Sequence, residues 1–216
     1  MNQLRNTARS GFTLIEVMIA IGIMTVGSLG ILAMHQSVSH ANRTALEMNT
    51  ALAITERWIE RLERDSLSWT ERGLNSASLN GTQYLEALAG EVNPTDWFTP
   101  NLNTTVFADG ESYGFDHFGD DVDPGDPAKY CTNLRMRWLR QGNSARVDIR
   151  TFWFREGHMV GTATHAKWVD GAAFRGADCD AATADGWGLA DADDPPPNID
   201  VVFASTVVTW LVREGT

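Results

Sequence analysis

One acidic side chain, Glu16, lies inside the longest apolar stretch of the chain, where a carboxylate needs a partner. The stretch runs from Phe12 to Met34 and contains no other charged residue. A carboxylate within hydrocarbon is costly, so such residues are functional by default. The chemistry that fits is an ion pair, because two paired charges in a low-dielectric medium cost far less than two separate ones. We therefore expect Glu16 to meet a cation.

The residues around this stretch predict a membrane anchor. The leader 1–11 carries Arg5 and Arg9 and no acid, which by the positive-inside rule keeps the N-terminus cytoplasmic and exports the chain beyond Met34. Residues 12–34 are long enough to cross about 30 Å of hydrocarbon. A secretory signal has a shorter apolar region of about 7–15 residues and a small-residue cleavage site. We predict a single transmembrane span, N-in and C-out.

The helix is expected to continue beyond the membrane, since no glycine or proline occurs between Ile31 and Arg72. Residues 35–67 form its amphipathic half, and residues 68–216 form a β-rich domain on the exported side. Spacings of three and four residues predict a stripe that packs against this domain. The stripe consists of Val38, Ala41, Ala45, Met48, Leu52, Thr55, Ile59 and Leu62. The other side, with Arg57, Glu60, Arg61 and Arg64, is interpreted as solvated.

Three exported segments have the pattern of strands. Residues 133–139 and 146–155 alternate apolar and polar side chains on either side of a turn at 141–144, which predicts an antiparallel hairpin. Residues 201–213 are rich in β-branched side chains and come after three prolines, Pro195 to Pro197. These segments predict a sheet packed on the helix. The Asp-rich segments 109–127 and 178–197 are expected to be irregular loops.

The two cysteines, Cys131 and Cys179, both fall in the exported part. Disulfides form and persist in oxidising compartments outside the cytoplasm. We therefore expect a bond between Cys131 and Cys179.

Other chemistry is weakly supported. Asp121, Asp123 and Asp126 have an oxygen spacing that suits a hard cation, but the bidentate glutamate of a full calcium loop is missing. We expect no metal and no cofactor, with calcium as a weak alternative. The histidines lack ligand spacing, and no nucleophile elbow, phosphate loop or dinucleotide fingerprint occurs. We predict that the chain is not an enzyme. Its net charge of −11, or −13 without the leader arginines, disfavours nucleic-acid binding.

The run Gly11-Phe12-Thr13-Leu14-Ile15-Glu16-Val17, behind a basic leader and ahead of an apolar span, resembles the class III signal of type IV pilins and type II secretion pseudopilins. The resemblance implies a prepilin peptidase that cuts between Gly11 and Phe12 and methylates the new amine of Phe12. It implies that Glu16 pairs with the amine of an adjacent subunit. It also implies a pilin-like ladle, an α+β fold whose long N-terminal helix packs on an antiparallel sheet with long loops.

Within this family the opening resembles minor pilins of the PilV kind. That likeness implies a structural, assembly-priming subunit at or near the tip of a type IV pilus, reached from the inner membrane. The implied partners are other minor pilins, the major pilin, the prepilin peptidase and the inner-membrane assembly platform. Many major pilins have proline at the position that matches Ala33, and its absence favours a minor subunit.

Two alternatives stay open. A minor pseudopilin of a type II secretion system shares the whole N-terminal half, although the one most like this opening tends to be shorter. An adhesive tip module is the other alternative, in which the acidic loops or tryptophans bind a surface ligand. Trp97, Trp168 and Trp187 lie in loop-like segments, yet most tryptophans are expected to pack the core.

Overall fold

A computed structural model describes residues 12–69, 79, 81–89, 94–100, 112–123, 126–155, 174, 176–189 and 199–210. The elements, in chain order, are helix α1 (Leu14–Ser66), a 3-10 helix (Leu85–Leu88), strands β1 (Gly114–Phe115), β2 (Tyr130–Arg140) and β3 (Ser144–Phe154), a 3-10 helix (Gly176–Cys179), helix α2 (Ala181–Gly186) and strand β4 (Ile199–Thr209). The structure divides into two compact units, Met1–Leu46 and Glu47–Thr216.

In the first unit, the part of α1 up to Met34 carries one charged side chain, Glu16. Its large apolar side chains are solvent-exposed, as in Ile15, Ile23 and Leu32. The polar side chains of the span satisfy themselves within the helix, since Thr25 Oγ1 donates to the Ile21 carbonyl at 2.7 Å and Ser28 Oγ to the Met24 carbonyl at 2.8 Å. A helix of this kind hides its backbone polar groups from lipid and leaves its apolar side chains available to it.

The second unit is built on a four-stranded antiparallel sheet in the order β1-β2-β3-β4. The predicted hairpin is confirmed as β2 and β3, with Cys131 opposite Phe152 and Leu134 opposite Ile149. Gly142 closes the turn at φ +66°, a conformation that favours glycine. The third predicted strand is β4, which begins at Ile199, while residues 211–213 of that prediction lie outside the described residues. The fold is α+β, a long N-terminal helix with an antiparallel sheet, consistent with a pilin-like fold.

The face of α1 that packs on the sheet differs from the predicted stripe. The buried residues of α1 are Ala51, Ile54, Thr55, Trp58, Arg61, Leu62, Asp65 and Ser66. Thr55 and Leu62 belong to the predicted stripe and the half-buried Ile59 packs against the core, but Met48 and Leu52 are 50% and 42% exposed. The buried face is shifted around the helix from the predicted one, because the apolar Ala51, Ile54 and Trp58 face the core instead. Arg61 and Asp65 join this face because their charged ends are hydrogen-bonded.

Two cores lie on the two faces of the sheet. The larger one joins α1 to side chains such as Leu134, Val147 and Ile149. The smaller one surrounds the disulfide with Phe152 and Phe174. Within the predicted irregular segments 109–127 and 178–197, the structure contains strand β1 and helix α2. Regular structure forms there because β1 pairs with the long β2 and α2 comes directly after the bonded Cys179.

Candidate functional site

The first turn of α1 holds Glu16 in a reciprocal cap. Thr13 donates to Glu16 Oε2 from both its backbone N–H and its hydroxyl, each at 2.9 Å, and the Glu16 N–H lies 3.4 Å from Thr13 Oγ1. This is the capping box, in which a threonine and a glutamate three residues later satisfy the free donors of a helix start. The Thr-x-x-Glu spacing signals such a cap, which was not among our predictions. The carboxylate is thereby fixed at the helix start.

The expected methylation position lies next to this cap. Phe12, the first described residue, is 88% exposed. Gly11 lies outside the described residues. A free amine on Phe12 would be a cation four residues before Glu16 in the sequence. Such a cation is open to a neighbouring molecule because the apolar side chains around it, such as Leu14 and Ile15, are exposed.

Helix α1 passes a test of length and composition for a membrane span, and it lies near the N-terminus. An added Cβ at Gly22, Gly27 or Gly30 would meet no atom of the described chain within 4 Å. Contacts within the described residues therefore do not require glycine at these three positions. Small residues of this kind allow helices to approach each other closely in membranes.

The weak cation candidate Asp121 is engaged by arginines of α1. Arg61 Nη2 donates to both carboxylate oxygens of Asp121 at 2.7 Å, and Arg57 Nη1 reaches Asp121 Oδ2 at 3.4 Å. Asp121 Oδ1 also accepts the Ser112 N–H at 2.6 Å. The interpretation of this helix side as solvated is therefore wrong for Arg61, which is buried. It holds for the exposed Glu60 and Arg64, and Arg57 is half-buried with a side chain 42% exposed. Asp121 fixes the loop 112–123 to the helix.

The other two cation candidates, Asp123 and Asp126, form a local turn in which the Asp126 N–H donates to the Asp123 carbonyl at 3.0 Å. In the described ranges, no group of three or more histidine, cysteine or carboxylate side chains is placed to hold a metal ion. The independence of the protein from metals and cofactors stays a prediction.

Cys131 and Cys179 form the expected disulfide, with a Cα–Cα distance of 5.3 Å. It connects β2 to the 3-10 helix that precedes α2. The same segment is held by Asn133, whose Nδ2 donates to the Cys179 carbonyl at 3.0 Å, and by Thr99, whose Oγ1 accepts the Ala181 N–H at 2.9 Å. Hydrogen bonds therefore hold the segment around Cys179 in addition to the disulfide.

Arg150 of β3 is a buried hub beneath this segment. Its Nη1 donates to Asp185 Oδ1 at 2.6 Å and to the Leu189 carbonyl at 2.7 Å, and its Nε donates to Asn133 Oδ1 at 3.0 Å. Burial lowers the pKa of the Arg150 guanidinium, and the bond to Asp185 opposes that shift. This hub was not predicted, because a single arginine on a strand carries no signal of the segment that will cover it.

The tryptophans considered for ligand binding are largely internal. Trp97 is 8% exposed, and the Arg135 and Arg150 guanidiniums lie 4.7 and 4.5 Å from its ring centroid. Trp187 packs beside Phe154 and Phe174. Trp168 lies outside the described residues. Trp97 thus makes cation–π contacts, and the half-buried Trp187 packs on aromatic rings.

The described residues form an α+β fold with an apolar N-terminal helix, an arrangement consistent with a pilin-like fold. Comparison with protein-family models matches residues 6–32 to the prokaryotic N-terminal methylation motif. The motif and the apolar helix support the type IV pilin-like family, pilin or pseudopilin, and suggest membrane anchoring in a pilus system. The motif implies processing by a prepilin peptidase. Searches of curated proteins and of solved structures gave no significant match.

Proposed function

We propose that this chain is a minor pilin, a structural and assembly-priming subunit at or near the tip of a type IV pilus. The observation that carries the proposal is the N-terminal methylation motif at residues 6–32, placed at the head of a long apolar helix. The pilin-like family is structural, so no catalytic role is proposed.

Maturation creates the chemistry of the site. The peptidase cuts between Gly11 and Phe12 on the cytoplasmic side, and the new amine of Phe12 is methylated. The subunit is then anchored N-in and C-out in the inner membrane, with a cation on its first residue and a carboxylate on Glu16. The Thr13 cap fixes the carboxylate at the helix start without neutralising its charge.

Assembly then results from pairing these charges between subunits. Glu16 of one subunit accepts the methylated amine of an adjacent subunit as both leave the bilayer for the filament. Pairing offsets the cost of two charges among apolar helices, and Gly22, Gly27 and Gly30 allow the helices to approach closely. The proposed neighbours are other minor pilins and the major pilin, brought together by the inner-membrane assembly platform.

A minor pseudopilin of a type II secretion system is the second candidate, because the matched motif is common to both systems. The two candidates differ in the machine that needs the subunit. Deleting the gene removes surface pili and twitching motility if the chain is a minor pilin, and it blocks protein secretion if the chain is a pseudopilin. Trp97 is buried and the half-buried Trp187 packs on Phe154 and Phe174, so neither favours the adhesive alternative.

N-terminal sequencing and intact mass of the protein purified from piliated cells test the proposal. The expected product begins at Phe12 and is heavier by one methyl group. The matched control is the same protein from cells without prepilin peptidase, which should begin at Met1. Immunogold labelling of sheared pili should place the subunit at or near the ends. A product from wild-type cells that begins at Met1 would overturn the proposal.

A further inference from the structure

The sheet face opposite α1 carries concentrated positive charge near the β2–β3 turn. Arg135 and Arg137 on β2 and Arg146 on β3 point to this face, since they alternate with core residues such as Met136. In the described ranges the carboxylate that contacts this group is Asp148. Its Oδ1 accepts from Arg146 Nε at 2.6 Å and its Oδ2 from Arg135 Nη2 at 3.3 Å. Two of the three guanidiniums, those of Arg135 and Arg146, thus contact the same carboxylate.

This arrangement is locally unfavourable. Arg137 and Arg146 are directly opposite each other in the antiparallel register, a position in which like charges destabilise a sheet. Arg137 is exposed, and the side chain of Arg146 is 39% exposed. The whole chain has a net charge of −11, so the cluster does not simply reflect composition. Pairing two like charges does not help the sheet to fold, and such locally unfavourable arrangements are expected at functional sites. It therefore points to a binding function.

Exposed apolar side chains flank the arginines. Leu139 lies two residues beyond Arg137 on β2, and Val207 of β4 is paired with Arg146. Each of these two apolar residues is 53% exposed. Protein interfaces are enriched in arginine and combine it with apolar contacts. We refer to Arg135, Arg137, Leu139, Arg146 and Val207 as the arginine face.

We propose that the arginine face docks a carboxylate-bearing surface of a neighbouring protein subunit in the filament, a proposal that rests on the proposed function. Planar guanidiniums bind carboxylates in a bidentate manner, which gives orientation as well as attraction. The apolar pair Leu139 and Val207 would be covered by the same partner. Three arginines on a strongly acidic chain are a poor site for a nucleic acid, because the rest of the chain repels a polyanion.

Photocrosslinking in native cells tests this surface with the full-length chain. A photoreactive amino acid replaces the exposed Leu139, and mass spectrometry maps the peptide that it captures. The expected peptide comes from a pilin-type subunit and contains aspartate or glutamate. Arg137→Glu should lower the yield about tenfold through charge repulsion, and a lysine in place of the mapped acid should restore it. Arg64→Glu, an exposed change on α1, is the matched control and should leave the yield unchanged.

A second measurement, a binding titration with defined probes, does not require the partner to be known. It uses a milder substitution, so that a folding defect is not mistaken for a loss of binding. The full-length chain in neutral detergent is titrated with a short tri-glutamate peptide, with double-stranded DNA and with phosphatidylglycerol vesicles. Salt-sensitive binding of the peptide that weakens in the milder Arg137→Gln variant supports the proposal. Two results would overturn the proposal. One is preferential binding of DNA or vesicles through Arg137, and the other is a crosslinking yield that Arg137→Glu leaves unchanged. A protein that begins at Met1 but still gives the charge-dependent crosslink refutes the proposed function instead.

Discussion

Arg61 of α1 and Asp121 of the loop after β1 are joined through one guanidinium nitrogen, whose distances to the two carboxylate oxygens are both 2.7 Å. Arg61 is 5% exposed, and its Nη1 also donates to the Ser112 carbonyl at 3.1 Å. The same loop meets α1 at Gly119, which has φ +86° and where a Cβ would come within 3.2 Å of Thr50. The loop is thus a fixed part of the domain.

Asp121→Asn should destabilise the domain because it leaves the Arg61 charge buried without its counter-charge. Breaking one side of a buried pair costs about 3–5 kcal/mol. We expect a lower unfolding midpoint for the full-length chain in detergent, measured by circular dichroism. The neighbouring Asp120, with a side chain 76% exposed, provides the control. Asp120→Asn should leave the midpoint nearly unchanged, and equal losses in both variants would contradict the assigned role of Arg61–Asp121.

Calcium should have little effect on this loop. Both oxygens of Asp121 already accept from Arg61, so a cation would have to displace a guanidinium that contacts both oxygens. We expect the same unfolding midpoint with calcium and with a chelator. The Asp121→Asn variant serves as a comparison, since it too should show no calcium response. A midpoint that rises with calcium in the unmodified protein and not in Asp121→Asn would show that Asp121 binds the ion.

The hairpin was predicted well because alternation of apolar and polar side chains is the signature of a strand, and next to the turn it also reports burial. Leu134 and Met136 are buried while Arg137 is exposed, as the pattern indicates. The same reasoning failed on α1, where the buried face includes Arg61 and Asp65. Those two are buried by partners far away in sequence. Asp65 accepts the N–H groups of Tyr84 and Leu85 at 2.9 and 3.0 Å. No periodicity within one segment reports such long-range bonds.

The N-terminal site illustrates the same limit in a different way. The motif around Glu16 was readable because its residues are contiguous in the sequence. The Arg150 hub was not readable, since its partners Asn133, Asp185 and Leu189 come from three separate segments. A motif of contiguous residues can be recognised in a single sequence. A site formed by residues from separate segments can be recognised only in the folded structure.

Arg150→Met should loosen the segment that carries α2. The substitution keeps much of the side-chain volume but removes the donors to Asp185, Asn133 and Leu189, leaving polar groups without their partner. Each buried group left unsatisfied costs about 1–3 kcal/mol. We expect faster proteolysis near residues 176–189 and a lower unfolding midpoint. Arg140→Met, on the exposed end of β2, is the matched control and should behave as the unmodified protein does.

Removing the disulfide should lower stability but keep the fold. The bridge spans 48 residues, and on the chain-entropy model a loop of that size is worth about 4 kcal/mol. The Asn133 and Arg150 bonds to the same segment remain after reduction. Cys131→Ser with Cys179→Ser should therefore show a lower unfolding midpoint with a near-ultraviolet circular dichroism spectrum close to that of the oxidised protein. Loss of that spectrum at room temperature would mean that the bridge, not the hydrogen bonds, holds the segment.

Two variants separate the cap from the proposed ion pair at the head of α1. Glu16→Gln keeps a side-chain oxygen for the Thr13 donors but removes the charge, whereas Thr13→Val keeps the charge and removes the hydroxyl. If Glu16 pairs with the amine of an adjacent subunit, Glu16→Gln should be inserted and processed normally but poorly recovered in sheared pili. Thr13→Val should be recovered well. Recovery is measured by immunoblot relative to the processed form in the membrane, which removes any effect on cleavage. Equal loss in both variants would assign the defect to the helix start and not to the charge.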